Sequence, residues 1–253
     1  MSNITAIAKN TFKQAIRDKI LYGILVFALI FLGSIVVLGY LSLGEDVFVI
    51  RSFGLAGIYI FSLIITIFLG ASIIYEEINK KTTYFLLAKP VTRGNLLIGK
   101  FLGLFIATSL TTLLMLVVYI LVVGLNGEFI DYLAISAVLL QLPEMGILIS
   151  IIILFSIFTT PLAATIYVVL IVYIGHLLSL IKNFATHSEG FSKYILTAVY
   201  YIFPNLEKFN IRNLVVHQVS ISLSEFLISV GYALIYIILA LYVAKILFNR
   251  KEL

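Results

Sequence analysis

The chain has 253 residues, of which 62% are hydrophobic and only 11% are charged, and its mean hydropathy is +1.17. This is more apolar surface than a soluble domain of that length can bury, so the composition indicates a protein that lies in a bilayer. The absence of cysteine excludes disulfides, thiolate metal sites and a cysteine nucleophile. The net charge of +5 does not point to nucleic acid, because the basic residues flank apolar segments.

Residues 1–19 predict an amphipathic "elbow" helix that lies in the membrane interface before the first span. An apolar stripe repeats every four residues beside a parallel basic stripe, the pattern of an interfacial helix. The alternative is a solvated helix that only orients the first span. The apolar stripe is Ile4, Ala8, Phe12 and Ile16, and the basic stripe is Lys9, Lys13 and Arg17.

Six apolar windows, each close to the roughly 20 residues that cross a bilayer, predict an all-α integral membrane protein with six transmembrane helices. They lie near 20–43, 53–75, 101–124, 143–160, 162–181 and 225–247. We expect no cleavable signal peptide, because the first window ends without a small-residue cleavage site and is read as the first span.

The fourth window is ambiguous, because the apolar stretch from Leu133 to Thr160 is interrupted by Pro143. Since proline fits best in the first turn of a helix, we expect a short interfacial or re-entrant helix over 130–141 and the span over 143–160. One tilted, kinked helix is the alternative. Glu144 is then expected in a first turn, where the helix N-terminus stabilises a carboxylate.

The basic residues predict the orientation. Twelve of the seventeen Lys and Arg residues lie on the side that holds both termini and the loop 76–100, and five lie on the other. The positive-inside rule therefore predicts that both termini and this loop are cytoplasmic.

The loop Glu76–Lys100 is the one long charged segment between two apolar spans, and it carries five of the seventeen basic residues. A helical stretch through Thr82 and Leu86 is predicted to stop at Pro90, because the residue before a proline is disfavoured in a helix. This predicts a short helix that lies across the membrane surface and offers apolar side chains to a groove. Packing beneath its own bundle is the alternative.

The same loop resembles the ABC-2 type permeases of ATP-binding-cassette exporters. The residues that match the family pattern are Glu77, Thr82, Leu86, Leu87, Pro90, Val91, Arg93, Gly99 and Lys100. The basic elbow, the turn at Thr159–Pro161 and the outer-loop residues Phe203–Leu206 also match the family's layout, so the resemblance covers essentially the whole chain. The wording LLAKPVTR and the Pro-Asn-Leu loop are similar to the branch of copper-processing and multi-copper-protein maturation permeases. Lys81 stands where many members carry glycine.

The resemblance implies a single transmembrane domain over 1–253 that does no chemistry and binds no cofactor itself. ATP and magnesium would be held by two cytoplasmic ABC ATPase subunits, and a second permease chain, an identical one by first choice, would complete the exporter. It further implies a prokaryotic cell membrane and allows an extracytoplasmic accessory protein. The ATPase contacts carried over from the family are Glu77, Thr82, Leu86, Leu87, Pro90 and Arg93, with the elbow and the Thr159–Pro161 turn beside them.

Two motifs in the loop are rejected as enzyme sites. Gly94–Phe101 spells most of a Walker A motif, but Phe101 replaces the Ser or Thr that ligates magnesium, and a membrane span follows. Lys100 is instead expected to extend to the lipid headgroups. Glu76, Glu77 and Lys81 resemble the box of intramembrane CAAX-type proteases, but His176, His187 and His217 are not spaced as the further ligands of such a site. His176 is expected to be an interfacial, structural histidine near the outer end of span five.

The outer loop 182–224 predicts an amphipathic helix on the outer leaflet, ended by Pro204. A solvated tether with an aromatic anchor is the alternative. For the whole chain, the alternative to an ABC-2 permease is a membrane protein that needs no ATPase, either a secondary transporter or a scaffold that recruits a cytoplasmic partner. Secondary transporters usually carry charged or broken spans and internal repeats.

Overall fold

The computed structural model describes residues 3–40, 46–79, 92–125, 132–217 and 219–250, and the side chains of 38, 40, 46, 47 and 73–79 are outside that description. Within these residues the chain is helical and no strand occurs, so the all-α prediction is confirmed. The helices are α1 Asn3–Arg17, α2 Lys19–Tyr40, α3 Asp46–Asn79, α4 Arg93–Leu125, α5 Tyr132–Ser156, α6 Pro161–His187, α7 Phe191–Ile202, α8 Arg212–Val216 and α9 Leu223–Arg250, with a 3₁₀ turn at Leu206–Phe209.

Six of these helices, α2 to α6 and α9, are long and apolar enough to cross a membrane, which confirms the predicted number of spans. Because six is even, α1, the start of α4 and the end of α9 meet at one end of the bundle, here called the terminal side. Helix α3 ends and helix α4 begins at that side. The turn Leu206–Phe209 and helices α7 and α8 lie at the opposite side.

Helices α3 and α5 form the centre of the bundle. In the most apolar stretch of α5, 72% of the residues are buried, and in that of α3, 61%. The corresponding fraction is only 22% in each of α2, α6 and α9, whose exposed side chains are mostly Leu, Ile, Val and Phe. An apolar face that is left exposed in this way is the face that a bilayer solvates.

Helix α5 runs without a break through Pro143 from Tyr132 to Ser156. The expectation of a separate helix over 130–141 and a span from 143 is therefore wrong, and the single-helix alternative is correct. The physical reason is the solvent. Ending the helix inside a membrane would leave several backbone groups unpaired in hydrocarbon, whereas the few backbone groups that a proline frees within a continuous helix can be satisfied by neighbouring helices. As a consequence, Glu144 lies in the middle of a helix instead of in its first turn.

The turn predicted at Thr159–Pro161 is present between α5 and α6. The Thr160 side chain accepts a hydrogen bond from the Ala163 backbone N–H at 3.4 Å, and Pro161 occupies the first helical position. An N-cap threonine followed by a proline that needs no donor is a favourable helix start. The chain therefore reverses on the terminal side with few residues outside the helices.

Candidate functional site

Helix α1 packs along α4, and two glycines of α4 permit the contact. A β-carbon on Gly103 would lie 2.6 Å from the Ala8 carbonyl oxygen and 2.6 Å from the Thr11 β-carbon. A β-carbon on Gly99 would lie 2.7 Å from the Ile7 β-carbon. The Gly99–Gly103 pair, a spacing that lets helices approach closely, therefore holds the chain's own N-terminal helix.

Gly103→Ala is expected to destabilise the protein by about 1–3 kcal/mol, because the added methyl meets a backbone oxygen and a β-carbon that cannot rotate away. Gly33→Ala is the matched control, since nothing lies within 4 Å of its added methyl and alanine is the better helix former by about 1 kcal/mol. The two variants should therefore shift the thermal unfolding midpoint, followed by circular dichroism, in opposite directions. Equal shifts would show that α1 does not press on Gly103.

Arg93 ties the start of α4 to the end of α9. Its Nη1 donates a hydrogen bond to the Phe248 carbonyl oxygen, and its Cζ lies 5.2 Å from the centroid of the Phe248 ring. Phe248 itself is only 2% exposed. One turn away, the Lys245 side chain runs past Gly94, at 3.4 Å from the position of an added β-carbon. Together with α1 on Gly103, these contacts make the terminal side one packed layer.

Of the six predicted ATPase contacts, only Arg93 has a described side chain. Glu77 falls in the last turn of α3, where the side chains are outside the description, and Thr82, Leu86, Leu87 and Pro90 lie outside the described residues altogether. The structure thus assigns Arg93 a contact within the chain, beside the segment that holds the other predicted contacts.

The Walker-like residues Gly94–Phe101 form the first turns of α4, so no phosphate-binding loop is present there. The expectation for Lys100 is wrong. Its side chain is only 3% exposed and is therefore buried within the protein.

A cluster of polar and charged side chains lies between α3, α5 and α6. Tyr59 of α3 donates to Glu144 Oε1 of α5 at 2.9 Å, and its hydroxyl is 2.6 Å from Nε2 of His176 in α6. His176 Nε2 is also 3.1 Å from Glu144 Oε1. Glu144 is 1% exposed, so its carboxylate depends on these two partners for compensation.

The opposite side of the bundle completes the cluster. His176 Nδ1 is 3.1 Å from Glu207 Oε2 in the 3₁₀ turn. The two ring nitrogens therefore face two different carboxylates, and an imidazolium that carries a proton on each nitrogen can donate to both of them. The two ring nitrogens point in different directions and cannot bind one ion together. Among the described residues, no group of three His, Cys, Asp or Glu side chains is arranged to hold a metal.

Arg212 supplies the fourth charge. Its Cζ lies 3.8 Å from the centroid of the Tyr59 ring, and its Nε donates to Asn210 Oδ1 at 2.9 Å. Asn210 in turn donates to both carboxylate oxygens of Glu207, at 3.2 and 3.3 Å. With His176 doubly protonated, two positive and two negative formal charges cancel, which is how charges are tolerated in a low-dielectric interior.

Burial lowers the pKa of the Arg212 guanidinium from its ordinary value, and the negative charges beside it, including Glu144 and Glu207, oppose that effect. Since arginine starts from a very high pKa, it keeps its proton here. The cation over Tyr59 is therefore permanent.

Residues 204–212, here called the cap segment, reach the cluster because α6 carries a glycine next to His176. A β-carbon on Gly175 would lie 2.7 Å from Leu206 Cγ and 2.8 Å from the Pro204 carbonyl oxygen. Only a residue without a side chain lets the cap segment come this close. On its other flank, the Asn205 backbone N–H donates to the Tyr232 hydroxyl of α9 at 2.9 Å.

These contacts correct one expectation from the sequence, because Glu144 is a buried member of a charged network and not a first-turn residue. His176 lies eleven residues before the end of α6 at His187 and has three polar partners. One signal of this pair was visible in the sequence. The adjacent apolar windows 143–160 and 162–181 contain an acid and a base respectively, Glu144 and His176. No such signal marks Glu207 or Arg212, because nothing local distinguishes them from other loop charges.

Most hydroxyls in the spans bond to their own helix. Thr108, Thr111 and Thr112 each donate to a carbonyl three or four residues earlier. The hydroxyl of Thr112 is also within hydrogen-bond distance of Ser62 Oγ, at 2.9 Å, which links α4 to α3. These residues therefore serve helix packing and do not compose a second polar site.

The helices and the buried cluster define a multi-pass membrane protein with ionisable groups inside its spans, a class that includes transporters and channels. A family model described as ABC-2 family transporter protein matches residues 5–253. The chain belongs to this family of membrane permeases. Comparison with the curated proteins finds no match.

Proposed function

We propose that this chain is the transmembrane permease subunit of an ABC-2 type exporter, which transmits ATP hydrolysis by separate ATPase subunits to the membrane spans. The observation that carries the proposal is the packed layer on the terminal side. Residues 80–91 lead directly into Arg93, whose contacts with Phe248 join α4 to α9. A force applied to this segment would therefore act on two spans and on α1 together.

In this proposal both termini and the segment 80–91 are cytoplasmic, as the excess of basic residues on that side supports. Two ATPase subunits bind ATP and magnesium, and the permease chain binds neither. The ATPase contacts are Glu77, Thr82, Leu86, Leu87 and Pro90, with Arg93 supporting the segment from within. Two permease chains, identical by first choice, form the membrane part of a prokaryotic exporter, and an extracytoplasmic accessory protein could meet its other side.

The test is reconstitution with an ATPase that carries Walker A and ABC-signature motifs, encoded beside the gene of this chain. Co-expressed and purified through a tag on the permease, the two proteins should elute together with two copies of each. Their magnesium-dependent ATP hydrolysis should be inhibited by vanadate. A permease that elutes alone and moves solute in response to an ion gradient without ATP would instead support a secondary transporter.

A further inference from the structure

The polar cluster divides into two halves that belong to different parts of the molecule. One half, Tyr59, Glu144 and His176, is built into the spans. The other half, Glu207 and Arg212, belongs to the cap segment. Each cap charge meets one group of the span half: the Glu207 carboxylate is 3.1 Å from His176 Nδ1, and Arg212 Cζ is 3.8 Å from the centroid of the Tyr59 ring.

The two halves differ in how firmly they are held. Glu144 is 1% exposed in the most buried helix of the bundle, whereas Glu207 is 39% exposed. The only regular structure in the cap segment is one four-residue 3₁₀ turn and the first residue of the five-residue helix α8, although Leu206, Phe209 and Ile211 anchor the segment in the core. Short elements of this kind open locally at a much lower free energy than packed spans. We therefore expect Glu207 and Arg212 to be displaced at a lower free energy than any group of the span half.

Without the cap segment, the span half presents an aromatic face beside a carboxylate and, next to them, an imidazolium. The aromatic face and Glu144 suit a cation, and His176 suits an anionic oxygen. Since the charges of Glu144 and His176 cancel each other, a ligand with a net charge would leave one charge unbalanced in the interior. A neutral zwitterion satisfies both groups.

We propose that Tyr59, Glu144 and His176 form a binding site for the headgroup of a zwitterionic phospholipid, which Arg212 and Glu207 occupy in this structure as built-in substitutes. The ammonium of the lipid takes the place of the guanidinium, and its phosphate takes the place of the Glu207 carboxylate. Lipid is the occupant because the site lies among spans, and α7, which packs against the same helix α6, has no buried residue and exposes Tyr194, Tyr201 and Ile202.

The lipid would be the transported substrate only if the proposed exporter function holds. Binding of the lipid does not depend on that function, because it is a property of this chain. The test therefore uses the purified full-length permease without any ATPase, in a mild detergent, and measures bound lipid by native mass spectrometry. The probes share the same acyl chains: phosphatidylethanolamine, the anionic phosphatidylglycerol and a cationic trimethylammonium lipid. We expect phosphatidylethanolamine to be retained at least about tenfold better than either charged lipid, the margin of one charge-assisted hydrogen bond.

Variants in the two halves should act in opposite directions. Glu207→Gln and Arg212→Gln remove the charges of the built-in substitutes and should increase retention of phosphatidylethanolamine, whereas His176→Gln and Tyr59→Leu should decrease it by about tenfold. Free phosphoethanolamine should compete only at far higher concentration; equal competition would mean that the site selects a soluble zwitterion. If the cluster were only a structural brace, variants of both halves would lower stability and leave lipid selectivity unchanged, which would overturn the proposal. Because the cap variants lie outside the spans, they keep the test valid should a span variant fail to fold.

Discussion

Leu86→Asp is expected to leave the chain inserted in the membrane and to abolish its association with the ATPase. In the resemblance to ABC-2 permeases, Leu86 is an apolar anchor of the cytoplasmic segment, and it lies outside the described residues, so this expectation rests on the sequence. A buried anchor at an interface contributes about 2 kcal/mol or more, and an unpaired carboxylate in the same pocket adds a desolvation cost. The association constant should therefore fall by more than about thirtyfold, as measured by pull-down of the purified ATPase.

Two controls separate a contact from a folding defect. Leu86→Met keeps the volume and the apolar character and should retain the ATPase. Arg93→Glu should also abolish association with the ATPase, but this substitution additionally breaks the contact between Arg93 and the Phe248 ring. Phe248→Leu removes the ring beneath the guanidinium while keeping the carbonyl that accepts its hydrogen bond, so this variant shows how much of the Arg93→Glu effect is internal. Unchanged ATPase association in both Leu86→Asp and Arg93→Glu would refute the coupling role of this segment.

His176→Leu is expected to destabilise the protein by about 3 kcal/mol or more. The variant leaves the Glu144 carboxylate, which is 1% exposed, with only the Tyr59 hydroxyl as partner, and breaking a buried ion pair costs about 3–5 kcal/mol. It also releases the cap segment, because Glu207 loses its contact with Nδ1. Unfolding in sodium dodecyl sulfate, followed by circular dichroism, measures the change.

The double variant His176→Leu/Glu144→Leu supplies the matched control. Removing both partners leaves no orphaned buried charge, so it should be less destabilised than the sum of the two single variants, with a coupling energy of about 1–3 kcal/mol. Strict additivity would mean that the two side chains do not interact across α5 and α6. Tyr59→Phe, which removes only a hydroxyl, should cost about 1.5–3 kcal/mol as the loss of a hydrogen bond to a charged group.

Features that depend only on residues close together in the sequence were predictable. The spans follow from windows of apolar residues, since crossing hydrocarbon requires a helix of that length whatever surrounds it. The start of α6 at Thr160–Pro161 follows from local capping chemistry. Pro143 shows the limit of such rules, because a proline that would end a helix in water lies inside α5, where ending the helix is more costly.

The cluster shows the larger limit. Glu144 and His176 are 32 residues apart and Tyr59 is 85 residues from Glu144, and each taken alone is consistent with an ordinary structural residue. Gly99 and Gly103 likewise predict close packing without naming the partner, which the structure identifies as α1. Distances between side chains on different helices depend on how the helices pack, and local patterns do not contain that information.

The sequence by itself therefore determined that this chain is a six-span membrane protein, with a basic amphipathic helix at its start and a charged loop that resembles those of ABC-2 permeases. Each of these properties is a local balance of hydropathy and charge. Only the tertiary structure decided that α5 is unbroken, that Arg93 holds Phe248, and that Tyr59, Glu144, His176, Glu207 and Arg212 form one network. In a low-dielectric interior a charge is stable only beside its partner, and the packing of the helices selects which partner that is.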